Sequence, residues 1–252
     1  MEEALRKYFR DIDYHELLKA FDPSYVENII NQVKYFTEKE AEKRDEIVLS
    51  YFTDEDIKKI VKIIVGCILS KPAGDKLDIL DIGAGSGFFT VKVAEGVWRE
   101  IPGAVIYAMD ITPAMLGILR RKNDRIITFI GVAEDIQGSI EYANRHGLDI
   151  PRRFDAIFST LTLHHCQDID RVFRSIDEVL KDEGIAVIID ICKHPYEEFR
   201  EEMGDVHLGF DLDELRRLGL KYFKNATTYV IPGVKCRESC RSIDMFSLCL
   251  TR

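Results

Sequence analysis

The chain has 252 residues, a formal net charge of −9 and 46% apolar residues. That balance excludes an intrinsically disordered chain, and the acid excess argues against a broad electrostatic face for nucleic acid. The longest apolar run, IIVGCIL at 63–69, is too short to span a bilayer, and the charged opening MEEALRKYFRD lacks the apolar core of a signal peptide. The expected setting is therefore cytoplasmic, with no transmembrane segment.

Residues 1–70 read as helix. Leu5, Tyr8, Phe9 and Ile12 keep a helical period. Pro23 breaks it, and Val26, Ile29, Ile30, Val33 and Phe36 resume it. TEKEAEKRDE is polar throughout, a solvated helix surface or a mobile segment. Thr53 then caps an amphipathic helix with Ile57, Ile60, Val61, Ile64, Val65 and Ile68 on one stripe. Pro72 and Gly74 end it, so the boundary is expected between a helical cap at 1–74 and a second unit at 75–252.

Past residue 76 the rhythm becomes strand, helix, strand, helix. LDILDI, AVIYAM, RIITFI, FDAIFST and IAVIIDI are short, nearly continuous apolar runs, as buried strands of a parallel sheet require. Helical segments lie between them near 88–99, 113–123, 138–147 and 168–182. KYFKNATTYVI and SIDMFSLCL close the chain as two strands without a full helix between them, which predicts an antiparallel hairpin. The predicted fold is α/β: a doubly wound, mostly parallel seven-stranded sheet with an antiparallel C-terminal strand and an N-terminal helical cap.

The strongest local signal is ILDIGAGSGFFTVKVA. Asp81 ends a strand, Gly83, Gly85 and Gly87 alternate through a turn, and a helix follows. Bare backbone allows a ligand to approach closely, and amides at a helix N-terminus receive anionic groups. The next strand ends in Asp110, whose carboxylate can accept hydrogen bonds from two ribose hydroxyls or start the helix near Pro113. Asp110 alone suits NAD or S-adenosylmethionine equally; the G-x-G-x-G spacing departs from the dinucleotide pattern G-x-G-x-x-G.

These motifs resemble those of the class I S-adenosylmethionine-dependent methyltransferases over residues 75–252. DIGAGSG resembles the family's first motif and Asp110 its second-strand acid. ITPAMLGILRRK resembles the segment that sets Ile111 and Met115 near ribose and adenine. GVAEDI at 131–136 resembles the adenine loop, and because Val132 stands where an Asp is common, Ala133 with Glu134 or Asp135 would recognise the ring. FDAIFSTLTLHHCQDIDRVFRSIDEVLKDEGIAVIIDI and HLGFDLDELRRLGLKYF are similar to the ubiquinone/menaquinone biosynthesis branch. VLKDEG replaces that branch's VLKPGG, which should alter only a turn.

The resemblance implies S-adenosylmethionine as cofactor, held by Asp81, Gly83, Ala84, Gly85, Gly87, Asp110, Ile111, Met115, Ala133, Glu134, Asp135, Ser159 and Thr160. It implies in-line methyl transfer to a small-molecule or lipid-like acceptor, with no stable nucleic-acid partner. An RNA or protein methyltransferase recruiting through the N-terminal helices, and a non-catalytic cofactor binder, stand as alternatives. His164 and His165 follow the fourth strand and are the candidate catalytic pair, as base or as a structural pair with Asp168. Among the cap's aromatics, Tyr8, Phe9, Tyr35, Phe36, Tyr51 and Phe52, one or two would line a pocket. The six cysteines read as reduced, and Cys236 and Cys240 cannot fill a zinc site, so no metal ligand is assigned.

Overall fold

The computed structural model describes residue 9 and residues 12–37, 41–70 and 76–252. Leu5 and Tyr8 of the first expected helix, and the breakers Pro72 and Gly74, lie outside those residues. Helix α1 spans Tyr14–Leu17 and α2 spans Pro23–Tyr35. The Asp22 carboxylate accepts from the amides of Ser24 and Tyr25, so Pro23 opens α2 instead of only interrupting the chain. Helix α3 (Arg44–Tyr51) follows, then α4 (Asp54–Leu69). A reciprocal capping box between Thr53 and Asp56 starts α4, as the sequence predicts, and Ile57, Ile60, Ile64 and Ile68 are buried along one stripe. Each fully buried isoleucine contributes roughly 1.5–3 kcal/mol.

The sheet strands are β1 (Asp78–Ile82), β2 (Val105–Asp110), β3 (Ile127–Ile130), β4 (Phe154–Thr160), β5 (Leu180–Ile191), β6 (Asn225–Glu238) and β7 (Arg241–Thr251). Between them run α5 (Phe88–Glu100), α6 (Pro113–Lys122), α7 (Ile136–Arg145), α8 (Ile169–Val179), α9 (Phe199–Glu202) and α10 (Leu212–Tyr222). The strand order is β3-β2-β1-β4-β5-β7-β6, with β7 antiparallel to both its neighbours. The predicted doubly wound sheet and terminal hairpin are therefore present. Connections leave β1 in both directions, which opens a crevice at the carboxyl ends of β1 and β4.

Both faces of the sheet are covered. Ile79, Phe158 and Val187 pack with α4 and α5 on one face, while Leu80, Ile157 and Ile188 pack with α7 and α8 on the other. Alternation of neighbouring residues between two cores explains the unbroken apolar runs. Helix α4 thus belongs to the same core as the sheet. Helix α2 is fastened elsewhere: Tyr25, Ile29, Ile30 and Val33 pack with Leu116, Ile130, Val132 and Tyr142 at the β3 edge.

Two strands are longer than the sequence reading. Strand β5 begins at Leu180, and an irregularity in its pairing with β4, with Glu183 at φ +62°, absorbs KDEG within the strand. Strand β6 continues through Pro232 and Gly233 to Glu238. The strand candidate in the sequence ends at Ile231; Pro232 and Gly233 fall in a break of register between Val230 and Lys235 where no ladder bond is needed.

Candidate active site

The turn after β1 is held from below. Gly83 and Ala84 donate their amides to the Met109 carbonyl at 2.8 and 3.0 Å. The Asp110 carboxylate accepts from the Gly85 amide at 2.8 Å and the Thr112 amide at 2.7 Å. Each carboxylate oxygen keeps a further lone pair, so Asp110 fixes the loop and still faces outward. Burial raises its pKa above the ordinary carboxylate range, and these amide bonds oppose the rise. The three glycines divide the work. A Cβ on Gly83 would collide with Thr162 and one on Gly87 with Leu119, whereas a Cβ on Gly85, at φ +54°, would meet open space.

That open space belongs to two adjoining cavities that share Arg44, Gly83, Gly85 and Leu161. The larger, about 140 Å³, is lined among others by Asp110, Ile111, Met115, Ala133 and Glu134. The smaller, about 50 Å³, is lined by Asp81, Ala84, Ser86 and Thr160. Thr160 Oγ1 is buried there without a hydrogen-bond partner. Asp81 is buried and accepts from Thr90 Oγ1 at 2.6 Å; burial drives its carboxyl well above the usual range. An unsatisfied hydroxyl, a buried acid and a bare turn together call for a polar ligand end.

Of the expected cofactor residues, ten line these cavities: Asp81, Gly83, Ala84, Gly85, Asp110, Ile111, Met115, Ala133, Glu134 and Thr160. Three do not. Gly87 is the N-cap of α5 and makes room for Leu119. Asp135 caps α7 by accepting from the Gly138 amide, and Ser159 Oγ donates to the Ile82 carbonyl. Their role is to set the loop and strand ends. Glu134 is committed as well: its Oε1 accepts from Tyr25 Oη at 2.8 Å and the Gln167 amide at 2.9 Å.

The two histidines separate. His165 lines the larger cavity, with its ring edge-on to Phe36, while His164 turns into the protein and is 6% exposed. His164 does not pair with Asp168, which caps α8 instead. Its Nδ1 lies 2.6 Å from Asp190 Oδ1 and its Nε2 lies 3.8 Å from Asp205 Oδ1. Burial pulls the His164 pKa down, but the charges of Asp190 and Asp205 outweigh it and leave the value raised. His165 is pushed well below the usual value by burial and by the charge of His164, so it is neutral. His164, His165 and Asp205 bring one ligand atom each within 4.8 Å of one another, a set that could receive a cation. With His164 Nδ1 held by Asp190, only Nε2 of that ring remains for one.

The sequence reading expects the N-terminal helices to help build the pocket, but it does not name most of the residues that form this wall. Tyr25, Asn28, Ile29 and Gln32 of α2, Phe36 after it and Arg44 of α3 all line the larger cavity. Of these, only Phe36 stands among the aromatics singled out. The helical period marks Ile29 as apolar-face but carries no sign of what that face meets. Four contacts tie this wall down: Tyr25 to Glu134, Asn28 to Gln167, Gln32 to the Gly204 carbonyl and Tyr35 to the Glu202 carbonyl.

A family model described as a methyltransferase domain matches residues 73–224, and the chain belongs to that family. It is 29% identical over 131 residues to a malonyl-[acyl-carrier protein] O-methyltransferase of Halorhodospira halophila, covering 50% of this chain and 40% of the relative. It is 29% identical over 157 residues to a ubiquinone/menaquinone biosynthesis C-methyltransferase of a Shewanella strain, covering 61% and 56%. The chain thus spans about half the length of these curated relatives. Among solved structures, phosphoethanolamine N-methyltransferase 2 of Haemonchus contortus in complex with S-adenosyl-L-methionine superposes with a TM-score of 0.61. That match has 14% identity and covers 87% of this chain and 59% of that one; it supports the fold. No helix among the described residues is long and apolar enough to cross a membrane.

Proposed function

We propose that the protein is an S-adenosylmethionine-dependent methyltransferase of a small-molecule or lipid-like acceptor. The observation that carries it is the Asp110 carboxylate bonded to the Gly85 amide at the edge of open space where a side chain would stand. When bound, S-adenosylmethionine supplies a methyl group already activated on a sulfonium. Asp110 would accept the ribose hydroxyls, and Ile111, Met115 and Ala133 would face the adenine. Asp81, Thr160 and Arg44 would hold the amino-acid end in the smaller cavity. Helix α2 and Phe36 cover the larger cavity and exclude water, so positioning supplies much of the rate. His165, on the cavity wall, would accept a hydrogen bond from the acceptor and orient it; the Gly204 carbonyl holds its ring, and Asp190 holds the ring of His164 beside it. The residues before 75 act in this scheme as a substrate-covering cap, apart from α4. A cytoplasmic location fits the six cysteines, none of which forms a disulfide among the described residues.

Calorimetry with S-adenosylhomocysteine and NAD tests the reading. The expected outcome is binding of the first and not of the second, with Asp110→Ala weakening it by roughly tenfold or more through loss of charge-assisted bonds. Unaltered affinity in that variant removes the ribose assignment.

A further inference from the structure

The part of the larger cavity beside α2 has an excess of hydrogen-bond acceptors. Gln32 Nε2 donates to the Gly204 carbonyl at 2.7 Å, which fixes the amide's orientation. Its Oε1 is buried and has no hydrogen-bond partner. His165 Nδ1 lies 3.2 Å from the same carbonyl. A carbonyl only accepts, so Nδ1 carries the proton and Nε2 keeps a lone pair. The nearby donors are spent inside the protein. Thr162 Oγ1 donates to the Gly83 carbonyl, Cys166 Sγ to the Thr162 carbonyl, and Tyr25 Oη with the Gln167 amide to Glu134. Arg44 borders the smaller cavity too, where the proposed function assigns it to the cofactor's carboxylate.

We infer that the methyl acceptor is a hydroxyl or amine that donates an O–H or N–H to Gln32 Oε1 or to His165 Nε2, an amine with two N–H groups serving both, and that the site selects such nucleophiles over carboxylates and over donor-less carbon centres. This rests on the methyltransferase reading and narrows it, setting the chain apart from its C-methyltransferase relative. In the transfer the nucleophile's oxygen or nitrogen bonds to the methyl carbon of the sulfonium donor. The carbon–sulfur bond breaks with its electron pair left on sulfur, and the nucleophile's proton is released to solvent. A carboxylate would set its own lone pairs against both atoms, and a hydrocarbon would leave both unpaired. Sites built to bond a hydroxyl or amine reject analogues that lack it by large factors.

The test uses the whole chain labelled with ¹⁵N-histidine, with His165→Gln identifying the signal. The tautomer is read first without any ligand; a pyridine-type Nε2 is expected, and a pyrrole-type Nε2 overturns the inference. Phenol, toluene and benzoate are then titrated in the presence of S-adenosylhomocysteine. Phenol should move the Nε2 signal and bind roughly tenfold or more tightly than the other two. Gln32→Leu should shrink that advantage several-fold. Benzoate or toluene binding as tightly as phenol, or none of the three reaching His165, overturns the inference. Calorimetry with S-adenosylhomocysteine on the same samples separates the two readings, because its failure sinks the cofactor assignment and leaves the tautomer result standing.

Discussion

Gly83 and Gly85 share one turn yet answer to different neighbours. Gly85→Ala places a methyl in open space, so the fold bears only the left-handed strain of about 1–2 kcal/mol, while the ligand loses its room. Gly83→Ala drives the same methyl into Thr162 and should destabilise more. Thermal melts and S-adenosylhomocysteine titrations on both variants check this: Gly85→Ala keeps most stability and loses binding, and the reverse pattern refutes it. Asp81 is a residue whose burial costs the fold. Its raised pKa means the folded chain holds the proton more tightly than the unfolded one, so stability falls as pH rises above the unfolded value of 3.8 and through the folded value. Asp81→Asn removes that slope. The variant should melt higher than the parent at neutral pH, the gap closing toward pH 4, and should bind S-adenosylhomocysteine more weakly. A pH-independent gap would remove the account.

Among the elements, α2 is the one whose attachment carries the site. Tyr25→Phe deletes the bond to the buried Glu134 carboxylate and should cost about 1–3 kcal/mol. Hydrogen exchange should speed along α2 and leave α4 untouched, since α4 is anchored in the main core by Ile60 and Ile64. Equal acceleration in both helices would mean that the clamp is not local. The sequence makes one part of this site plain because it is local. The glycine turn, Asp110 and Met115 lie within 33 positions, and their spacing states strand, turn and helix. Tyr25 meets Glu134 across 109 positions, and nothing in a helical stripe names so distant a partner. Asp168 looks like the partner of the histidines because it is near in the chain, but Asp190 arrives from β5, the strand bonded to β4, and takes His164 instead. Likewise the strand candidate KYFKNATTYVI stops at Ile231, because local propensity is silent about the register break that carries β6 on through Pro232 and Gly233.

For the molecule as a whole, the sheet and its two cores follow from the apolar runs, while the cleft is completed by the N-terminal helices folding across it. Ligand should therefore order the two parts together. Limited proteolysis with S-adenosylhomocysteine should slow cleavage within residues 12–60 several-fold, because any state that binds ligand is favoured over open ones. Unchanged cleavage there would show that the helices do not sense the site. The manner of their attachment also matters beyond any one ligand. Gln32 and Tyr35 grip the main-chain oxygens of Gly204 and Glu202, not their side chains. Such a grip does not depend on the side chains of this stretch, so Val206, which lines the cavity, can vary while the scaffold keeps its register. A change at Val206 would therefore reshape the pocket wall without first having to rebuild its frame.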